Sequence, residues 1–576
     1  MNSEIIRRRV SASYQQLAAE LHPVLARIYA ARNVEHAEEV AYSLDKLPPY
    51  HSLRNIEAAA RLLHDAVTRQ QRILIVADFD ADGATSCALA IRALNMMGAK
   101  QVDFLVPNRF EFGYGLTPEI VAIAATRLPE LLVTVDNGIS SIEGVAAARA
   151  FGMRVLVTDH HLPGAQLPEA DAIVNPNLPG DAFPSKALAG VGVIFYVMLA
   201  VRAQLRASGW FAQQEIPEPN LAHLLDLVAL GTVADVVPLD YTNRILVAQG
   251  LARIRKGACC AGIAALLRIA GRRLERVAAS DLGFAVGPRL NAAGRLEDMS
   301  LGICCLLSND AERVERMVRE LNDLNAQRRE IEQEMQLQAH ELLNNMRLDE
   351  ARLPVGLCLF DETWHQGVIG ILASRIKDKT HRPVIAFALA EKEDEVKGSA
   401  RSVVGVHIRD VLEAVATAHP GMLTRFGGHA MAAGLSLPRE HLAAFMDAFD
   451  REVRRHLSED ALRGMIHSDG ELRPHEFDLE LARLLRDAGP WGQGFPEPVF
   501  EGVFMLEDRR IVGEKHLKLR LRSSDAAAVD AIAFNTTDAG WPLEVRQVSV
   551  AYQLDVNEYN GRESVQLLVR HIHPHE

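Results

Sequence analysis

The chain has 576 residues, of which 48% are hydrophobic and 24% charged, and its formal net charge is -13 at neutral pH. Because a domain usually contains about 100–200 residues, this length predicts three or four globular domains. The negative charge excludes nucleic-acid binding by overall charge alone, although a local basic groove remains compatible with it.

The N-terminal 45 residues have a helical pattern that ends at a proline-containing loop, KLPPYHS. A strand–helix alternation follows. Five short apolar strands are predicted at 72–80, 102–108, 131–138, 153–161 and 172–177, with helices at 84–97, 118–127 and 141–151. This alternation predicts a parallel sheet covered on both faces, and ligands of such sheets bind outside the carboxyl ends of the strands.

The segment at 187–201 is the longest uncharged apolar run. It is shorter than the roughly 20 residues of a membrane helix and contains glycine, so we expect a buried helix and no membrane association. The first ten residues are basic but contain no apolar segment, so no secretory signal is expected. The cysteines show no Cys-x-x-Cys pair and no zinc spacing, which predicts reduced thiols and a cytoplasmic location.

The second half of the chain predicts further elements. A basic, glycine- and alanine-rich loop is expected at 287–298, followed by one long amphipathic helix from 308 to about 348. A second α/β pattern starts at 353, and short alternating segments beyond about 465 predict a β-barrel of the OB type.

The predicted fold class is therefore α/β with an added barrel. The predicted domains are a helical segment at 1–45, a parallel-sheet domain at 46–305, a connecting helix at 306–350, a second α/β domain at 351–460 and an OB-like β-barrel at 461–576.

Acidic residues and histidines follow the predicted strand and helix ends. This set consists of Asp78, Asp80, Asp82, Asp136, Asp159, Asp235, His160 and His161. Close carboxylates repel one another unless a proton or a cation lies among them. Carboxylates bind hard divalent cations, and imidazole shifts the preference toward Mn²⁺; two such ions about 3.5–4 Å apart promote phosphoryl displacement. An acidic turn closed by Gly83 is the alternative for the first three aspartates.

Four motifs, DFDADGATS, VTVDNGIS, VTDHHLP and LGTVADVVPL, resemble in order those of the DHH phosphoesterase superfamily. Four later motifs, FAVGPRLNAAGRLEDMS, WHQGVIGILASRI, KGSARS and RFGGHAMAAG, extend the resemblance to the RecJ family of single-strand-specific DNA exonucleases and its DHHA1 domain. The resemblance covers roughly residues 50–576 and is weakest in the OB-like part.

The resemblance implies a role for each member of the acidic set. The implied metal ligands are Asp78, Asp80, Asp82, Asp136, His160 and Asp235. Asp136 would bridge two Mn²⁺ or Mg²⁺ ions. Asp78 would be a metal ligand itself or would contact a residue that is one. Asp159 would orient a histidine, and His161 would contact the scissile phosphate.

Substrate-binding residues are predicted in two regions of the catalytic domain. Arg109, Phe110, Phe112 and Tyr114 follow a predicted strand, where aromatic rings could stack on unpaired bases; a glycine-rich surface loop with a packed aromatic residue is the alternative. Arg289, Asn291 and Arg295 lie in the predicted loop at 287–298, where small residues let the backbone approach a phosphate.

Further substrate contacts are predicted in the second α/β domain. Ser399 and Arg401 offer a hydroxyl and a forked guanidinium that suit a terminal phosphate, which the resemblance implies is the 5′ end. His429 lies on a glycine turn and His365 at a helix start; for either, a structural role is the alternative.

The resemblance implies a cytoplasmic 5′→3′ exonuclease that degrades single-stranded DNA to 5′-mononucleotides in DNA repair and recombination. The two α/β domains would face each other across a cleft too narrow for a duplex, and the barrel would add a groove for the strand. The enzyme would be a monomer, with single-strand-binding protein and a recombination helicase as partners. The alternatives are a phosphodiesterase for short oligonucleotides or cyclic dinucleotides, a non-catalytic DNA-binding scaffold, and a structural Ca²⁺ site.

Overall fold

The computed structural model describes residues 4–108, 115–345, 354–390, 394–428, 430–457, 464–513, 516–523, 527–534, 536, 545–559 and 561–575. These residues form two compact units. The smaller unit consists mainly of Asn322–Met465 with Arg295–Glu297, and the larger unit consists of Ile5–Gly294, Asp298–Leu321 and Ile466–Glu576.

The N-terminal segment contains one strand and two helices, β1 (Glu4–Arg7), α1 (Tyr14–Leu17) and α2 (Pro23–Ala30). The expectation of a helical segment is wrong for β1, which pairs with Met465–Ser468 in a two-stranded sheet. A partner more than 450 positions away leaves no signal in the local sequence pattern, which explains the difference.

The predicted parallel sheet is confirmed in the larger unit. Its strands are β2 (Ile73–Ala77), β3 (Val102–Leu105), β4 (Leu131–Val135), β5 (Arg154–Thr158) and β6 (Ala172–Val174), in the order β3-β2-β4-β5-β6. All four neighbouring pairs are parallel. Helix α3 (Ile56–Thr68) precedes the first of these strands, and the helices between the strands are α4 (Ala81–Met96), α5 (Pro118–Ala125) and α6 (Ile142–Ala150). The carboxyl ends of β2, β4 and β5 are therefore adjacent.

The chain from Gly190 to Asn345 is mainly helical. Its helices are α7 (Gly190–Ala207), α8 (Trp210–Gln213), α9 (Leu225–Ala234), α10 (Tyr241–Arg255), α11 (Ala261–Ile269), α12 (Ala279–Asp281), α13 (Gly287–Leu296), α14 (Ser300–Leu307) and α15 (Ala311–Asn345). Helix α7 is long and apolar enough to cross a membrane, but 67% of its span is buried and it packs against α3, α4 and α9. This confirms the expected buried helix.

The expectation of a loop at 287–298 is wrong. A π-helical turn, Leu282–Val286, leads directly into α13. The glycines that suggest a loop instead permit close packing: a Cβ on Gly294 would lie 1.9 Å from the carbonyl oxygen of Phe79. Tertiary packing has overridden the low helix propensity of glycine.

The long helix is confirmed as α15, which starts in the larger unit and continues into the smaller one. The smaller unit has the strand order β10-β11-β9-β8-β7. Its elements are β7 (Leu357–Phe360), α16 (Ile369–Thr380), β8 (Val384–Leu389), β9 (Glu395–Arg401), α17 (Ile408–Ala418), β10 (Arg425–Gly428), β11 (Ala432–Pro438) and α18 (Leu442–Val453). The predicted second α/β fold is thereby confirmed, with hydrophobic clusters on both faces of the sheet.

The C-terminal part confirms the predicted barrel. It contains β12 (Met465–Ser468), α19 (Leu479–Asp487), β13 (Phe500–Val512), β14 (His516–Arg522), β15 (Val529–Ala533), β16 (Gln547–Tyr559) and β17 (Arg562–Pro574). The last five strands close in the order β13-β14-β15-β17-β16. Only the β15–β17 pair is parallel among these described strands.

Gly294→Ala should destabilise the larger unit. The new methyl group would collide with Phe79, which lies between Asp78 and Asp80, so we expect a loss of about 1–3 kcal/mol, the usual cost of overpacking. Thermal unfolding followed by circular dichroism measures the change. Gly164→Ala is the control, because Gly164 is exposed and its added Cβ meets no atom closer than 3.8 Å. Equal melting temperatures for the two variants would contradict the close packing of α13.

Candidate metal centre

The loop after β2 and the first turn of α4 carry the three alternate aspartates. Asp80 is the N-cap of α4, and its carboxylate accepts hydrogen bonds from the N–H groups of Asp82 at 2.9 Å and Gly83 at 3.0 Å. Asp82 lies inside the helix, because α4 begins at Ala81, three residues before the start of the helix predicted at 84–97. Acidic residues are favoured at a helix N-terminus because the N–H groups there lack helical partners.

Asp82 is fully buried and joins α4 to α7. Its two carboxylate oxygens accept hydrogen bonds from the first N–H groups of α7, Gly190 at 2.7 Å and Val191 at 2.9 Å. Gly190 also leaves room for the next aspartate, because a Cβ on it would lie 2.7 Å from the Cβ of Asp136. The small residues at the start of α7 thus allow two carboxylates to approach one helix end.

Asp136 follows β4 in a left-handed conformation, with φ of 61°. Non-glycine residues rarely adopt this region, and they do so often at functional sites. The N–H of Asp136 donates to the carbonyl oxygen of Thr158 at 3.1 Å, which keeps the residue level with the end of β5. Its Oδ1 atom lies 3.1 Å from Nε2 of His160.

Asp159 organises the two histidines that follow β5. Its Oδ1 accepts hydrogen bonds from the N–H groups of His160 at 2.7 Å and His161 at 3.1 Å, and it lies 2.7 Å from Nδ1 of His161. Its Oδ2 accepts a hydrogen bond from the N–H of Ile139 at 2.9 Å. The carboxylate of Asp159 is therefore engaged in holding the histidine loop.

Two asparagines that the sequence analysis missed also hold this loop. The side-chain N–H groups of Asn175 and Asn177 donate to the carbonyl oxygens of His161 at 2.9 Å and His160 at 2.6 Å. Both asparagines follow β6. Their position after an apolar strand at the same sheet edge was the signal that could have identified them.

His160 lies at the centre of the cluster. Besides Asp136, its Nε2 is 3.5 Å from Oδ2 of Asp235, at the C-terminal end of α9, and 3.9 Å from Oδ2 of Asp82. Among the described residues, three groups bring possible ligand atoms within 4.8 Å of one another: Asp136, His160 and His161; Asp82, His160 and Asp235; and Asp78, Asp80 and Asp136. Asp136 belongs to two groups, as a bridging carboxylate would.

Burial and crowding change the charge states of these groups. Burial, reinforced by Asp235, raises the pKa of Asp82 to about 7, and burial together with Asp80 raises the pKa of Asp235 to about 7. The pKa of Asp136 is raised well above its ordinary value by burial and by Asp82. Without a cation, the ionised cluster is therefore unfavourable.

The Asp159–His161 pair shows the opposite behaviour. Burial by itself would raise the pKa of Asp159, but His161 and the hydrogen bonds to the loop lower it to about 2. Burial likewise opposes charge on His161, yet Asp159 raises the pKa of that imidazole to about 9. The pair is ionised at neutral pH and places a positive charge beside the acidic cluster.

The donor set fits divalent cations. Nε2 of His160 is buried, lies within 3.9 Å of oxygens from three carboxylates, and makes no well-aligned hydrogen bond with the described residues. Burying a polar atom in this way is costly unless something else binds it. Carboxylate oxygens with one or two imidazoles are the ligands that suit Mg²⁺ and Mn²⁺.

A second polar cluster lies wholly within the smaller unit. Arg401, at the end of β9, donates from Nη1 to Oγ of Ser399 at 3.1 Å. The first turn of α16 lies directly against them, because a Cβ on Gly370 would be 2.9 Å from Oγ of Ser399 and from Nη2 of Arg401. A guanidinium, a hydroxyl and a helix N-terminus together form an arrangement suited to an anion.

Arg295 and His365 hold the segment before α16. Nη1 of Arg295 donates to the carbonyl oxygen of Gly367 at 3.0 Å, and the N–H of Gly367 donates to Nδ1 of His365 at 3.1 Å. Both predicted residues thus belong to the same unit as Ser399 and Arg401.

The other predicted substrate-binding residues either contact the protein backbone or lie outside the described residues. Asn291 accepts a hydrogen bond from the N–H of Ala81 at 2.7 Å, so its observed contact is with the first turn of α4. Arg289 donates from Nη1 to the carbonyl oxygen of Ala285 at 2.6 Å. The remaining predicted residues, Arg109, Phe110, Phe112, Tyr114 and His429, lie outside the described residues.

Three family models match the sequence: "DHH family, N-terminal domain" over 72–232, "DHHA1 domain" over 353–455 and "RecJ OB domain" over 468–571. The chain is 54% identical over 571 residues to the single-stranded-DNA-specific exonuclease RecJ of Dickeya dadantii, covering 99% of both chains. It also resembles crystal structures of RecJ from Thermus thermophilus in complex with Mn²⁺ (TM-score 0.80, 29% identity) and Mg²⁺ (0.75, 28%). The match covers 100% of this chain and 79% and 78% of those chains.

Asp136→Asn should stabilise the protein when divalent metal is removed by chelation. The neutral amide relieves charge repulsion in the buried cluster, so at a pH of about 8, where an ordinary carboxyl group is ionised, we expect the variant to unfold at a higher temperature than the wild type. Added Mn²⁺ should raise the melting temperature of the wild type more than that of the variant. Asp103→Asn, on exposed Asp103 of β3, is the control and should show neither effect.

Asp159→Asn should leave Mn²⁺ binding largely intact. Asp159 holds the histidine loop through hydrogen bonds, and its ring contact is to Nδ1 of His161. We therefore expect Mn²⁺ to raise the melting temperature of this variant almost as much as that of the wild type, in contrast to Asp136→Asn. Loss of the Mn²⁺-dependent stabilisation would identify Asp159 as a ligand instead.

Proposed function

This chain belongs to the RecJ family of single-stranded-DNA-specific exonucleases, and we propose that it removes nucleotides from single-stranded DNA by metal-dependent phosphodiester hydrolysis. The observation that carries this conclusion is the convergence of Asp82, Asp136 and Asp235 on His160 at the carboxyl edge of the parallel sheet. The cofactor is a divalent metal ion, Mn²⁺ or Mg²⁺, as in the similar Thermus structures.

The residues divide into ligands and residues that act on the substrate. The ligand set would be Asp78, Asp80, Asp82, Asp136, His160 and Asp235, with Asp136 shared between two ions. Divalent ions at such a cluster supply an activated water molecule and neutralise charge on the phosphodiester. His161, kept cationic by Asp159, can donate a hydrogen bond to a phosphoryl oxygen and stabilise the charge that develops there.

The anion-binding cluster of the smaller unit supports a preference for the 5′ end. A terminal phosphate carries more negative charge than a phosphodiester, and Arg401, Ser399 and the start of α16 offer complementary donors. We assign this cluster to the 5′-terminal phosphate, so that degradation proceeds 5′→3′ and releases 5′-mononucleotides. Arg295 and His365 would shape the segment that closes this pocket.

The closed β-barrel supports binding of a longer strand, since OB-type barrels bind single strands in a groove of basic and aromatic residues. The proposed role is DNA repair and recombination. There a single-strand-binding protein and a recombination helicase are the proposed partners, because both act on unpaired strands. We also propose that the protein is a monomer located in the cytoplasm, where its six free cysteines would stay reduced.

The alternatives are less well supported. A phosphodiesterase for short oligonucleotides or cyclic dinucleotides has no need of the barrel, which matches the RecJ OB model over 468–571. A non-catalytic scaffold or a structural Ca²⁺ site would not require a buried acidic cluster beside a cationic histidine.

Asp136→Ala should abolish degradation of 5′-phosphorylated single-stranded DNA in the presence of Mn²⁺ or Mg²⁺. We expect kcat to fall by at least about 100-fold, because even residues that only support metal ligands often contribute 10–100-fold. The assay uses a strand labelled at either end, with a matched duplex and a dinucleotide alongside. Turnover confined to the dinucleotide would favour the small-substrate alternative, and binding without cleavage would favour the scaffold.

Arg401→Gln should weaken recognition of the 5′ phosphate. We expect KM for a 5′-phosphorylated strand to rise by about 10-fold or more, because a charge-assisted hydrogen bond contributes roughly 1.5–3 kcal/mol. KM for a 5′-hydroxyl strand should change little. Arg451→Gln, on the exposed face of α18 in the same unit, is the control. An equal rise for both strands would show that Arg401 does not recognise the terminal phosphate.

A further inference from the structure

Phe284 is an exposed aromatic side chain on a turn that packs against α9, the helix that ends next to Asp235. It lies on the π-helical turn Leu282–Val286, and 85% of its surface is exposed. Its neighbours on the same turn, Leu282 and Val286, are fully buried. Short π-helical segments are rare, and those that are found frequently lie at functional sites.

The turn that carries Phe284 is tied to the metal centre on two sides. It packs against α9, whose C-terminal residue is followed by Asp235, and Gly287 at its end lies against Ala234. It continues into α13, where Asn291 accepts the hydrogen bond from Ala81 in the first turn of α4. The backbone that presents Phe284 is therefore fixed relative to the ligands.

A second exposed apolar side chain follows the C-terminal end of α9. Val236, directly after Asp235, is 64% exposed and has a φ of 63°. A β-branched residue rarely adopts this conformation, so the surrounding structure must impose it. Val236 is thus kept exposed directly after the candidate ligand Asp235, and Phe284 is exposed on a turn that packs against the same helix.

The charges nearby suit a nucleic acid. Arg289 donates to the carbonyl oxygen of Ala285, the residue after Phe284, which places a guanidinium beside this turn. A flat aromatic face next to a positive charge is the combination that binds single strands, because every base offers a face for stacking while its phosphate pairs with the cation.

We infer that Phe284 stacks on an unpaired base of the strand next to the scissile phosphate, with Val236 contacting the same nucleotide. The inference rests on the proposed exonuclease function and adds a substrate-positioning residue to it. Stacking of a protein ring on a base within a strand displaces the neighbouring base from that face, which costs less free energy in a single strand than in a duplex, so this contact would contribute to selection of single strands.

The test combines Phe284→Ala with abasic substrates. For an ordinary strand, we expect KM to rise by about 5- to 150-fold, the range that base stacking spans, with kcat little changed. Phe284→Tyr keeps the ring and should restore KM. A series of strands carries one abasic residue each, at successive positions. At one position, the abasic residue should raise KM of the wild type but not KM of Phe284→Ala.

The control is Phe151→Ala. Phe151 is 60% exposed and follows α6, at the opposite edge of the sheet from the acidic cluster, so its removal should leave KM unchanged. An unchanged KM for Phe284→Ala would overturn the inference, as would the same abasic penalty in wild type and variant. If the wild type failed to cleave any strand, the proposed function would fail. Binding of the same strands in the presence of chelator, measured by fluorescence anisotropy, would then decide the role of Phe284 separately.

Discussion

Electrostatic repulsion among buried carboxylates is the constraint on which the catalytic half of this protein depends. Asp82 and Asp136 are almost completely buried, and Asp235 lies close to them around His160. Such a cluster is unfavourable in the absence of a cation, and the raised pKa values of its carboxyl groups express that cost. The fold reduces part of the cost by pointing N–H groups at individual carboxylates, as the start of α7 does for Asp82. Metal binding would supply the remaining stabilisation.

Close packing of helices keeps this cluster assembled. Gly190 lets the start of α7 approach Asp136, and Gly294 lets α13 approach the backbone of Phe79. The same helix, α13, supplies Asn291 to the first turn of α4. The candidate metal ligands therefore lie in loops and at helix ends that neighbouring helices hold in place, and this support makes the site rigid.

The positively charged groups near the proposed binding sites have different proposed functions. The net charge of -13 would repel a polyanion from most of the surface, so binding must rely on local groups. His161, paired with Asp159, serves the metal centre, and Arg401 with Ser399 serves the proposed terminal-phosphate pocket. Phe284 adds a contact that does not depend on charge, which lets the enzyme hold a base as well as the backbone.

Elements that depend on nearby residues could be predicted from local sequence patterns. Apolar strands that alternate with helices predicted the parallel sheet, and the placement of Asp78, Asp136 and His160 after those strands predicted one shared edge. Period-two segments predicted the barrel. The contacts between distant residues became visible only in the folded chain: Asp82 caps α7, α13 is a helix, Asn291 holds the first turn of α4, and β1 pairs near residue 465. These features depend on partners far apart in the chain, and no local pattern encodes a distant partner. The exposure of Phe284 also could not be predicted from the sequence, because packing of the folded chain buries its neighbours Leu282 and Val286 and leaves Phe284 in solvent.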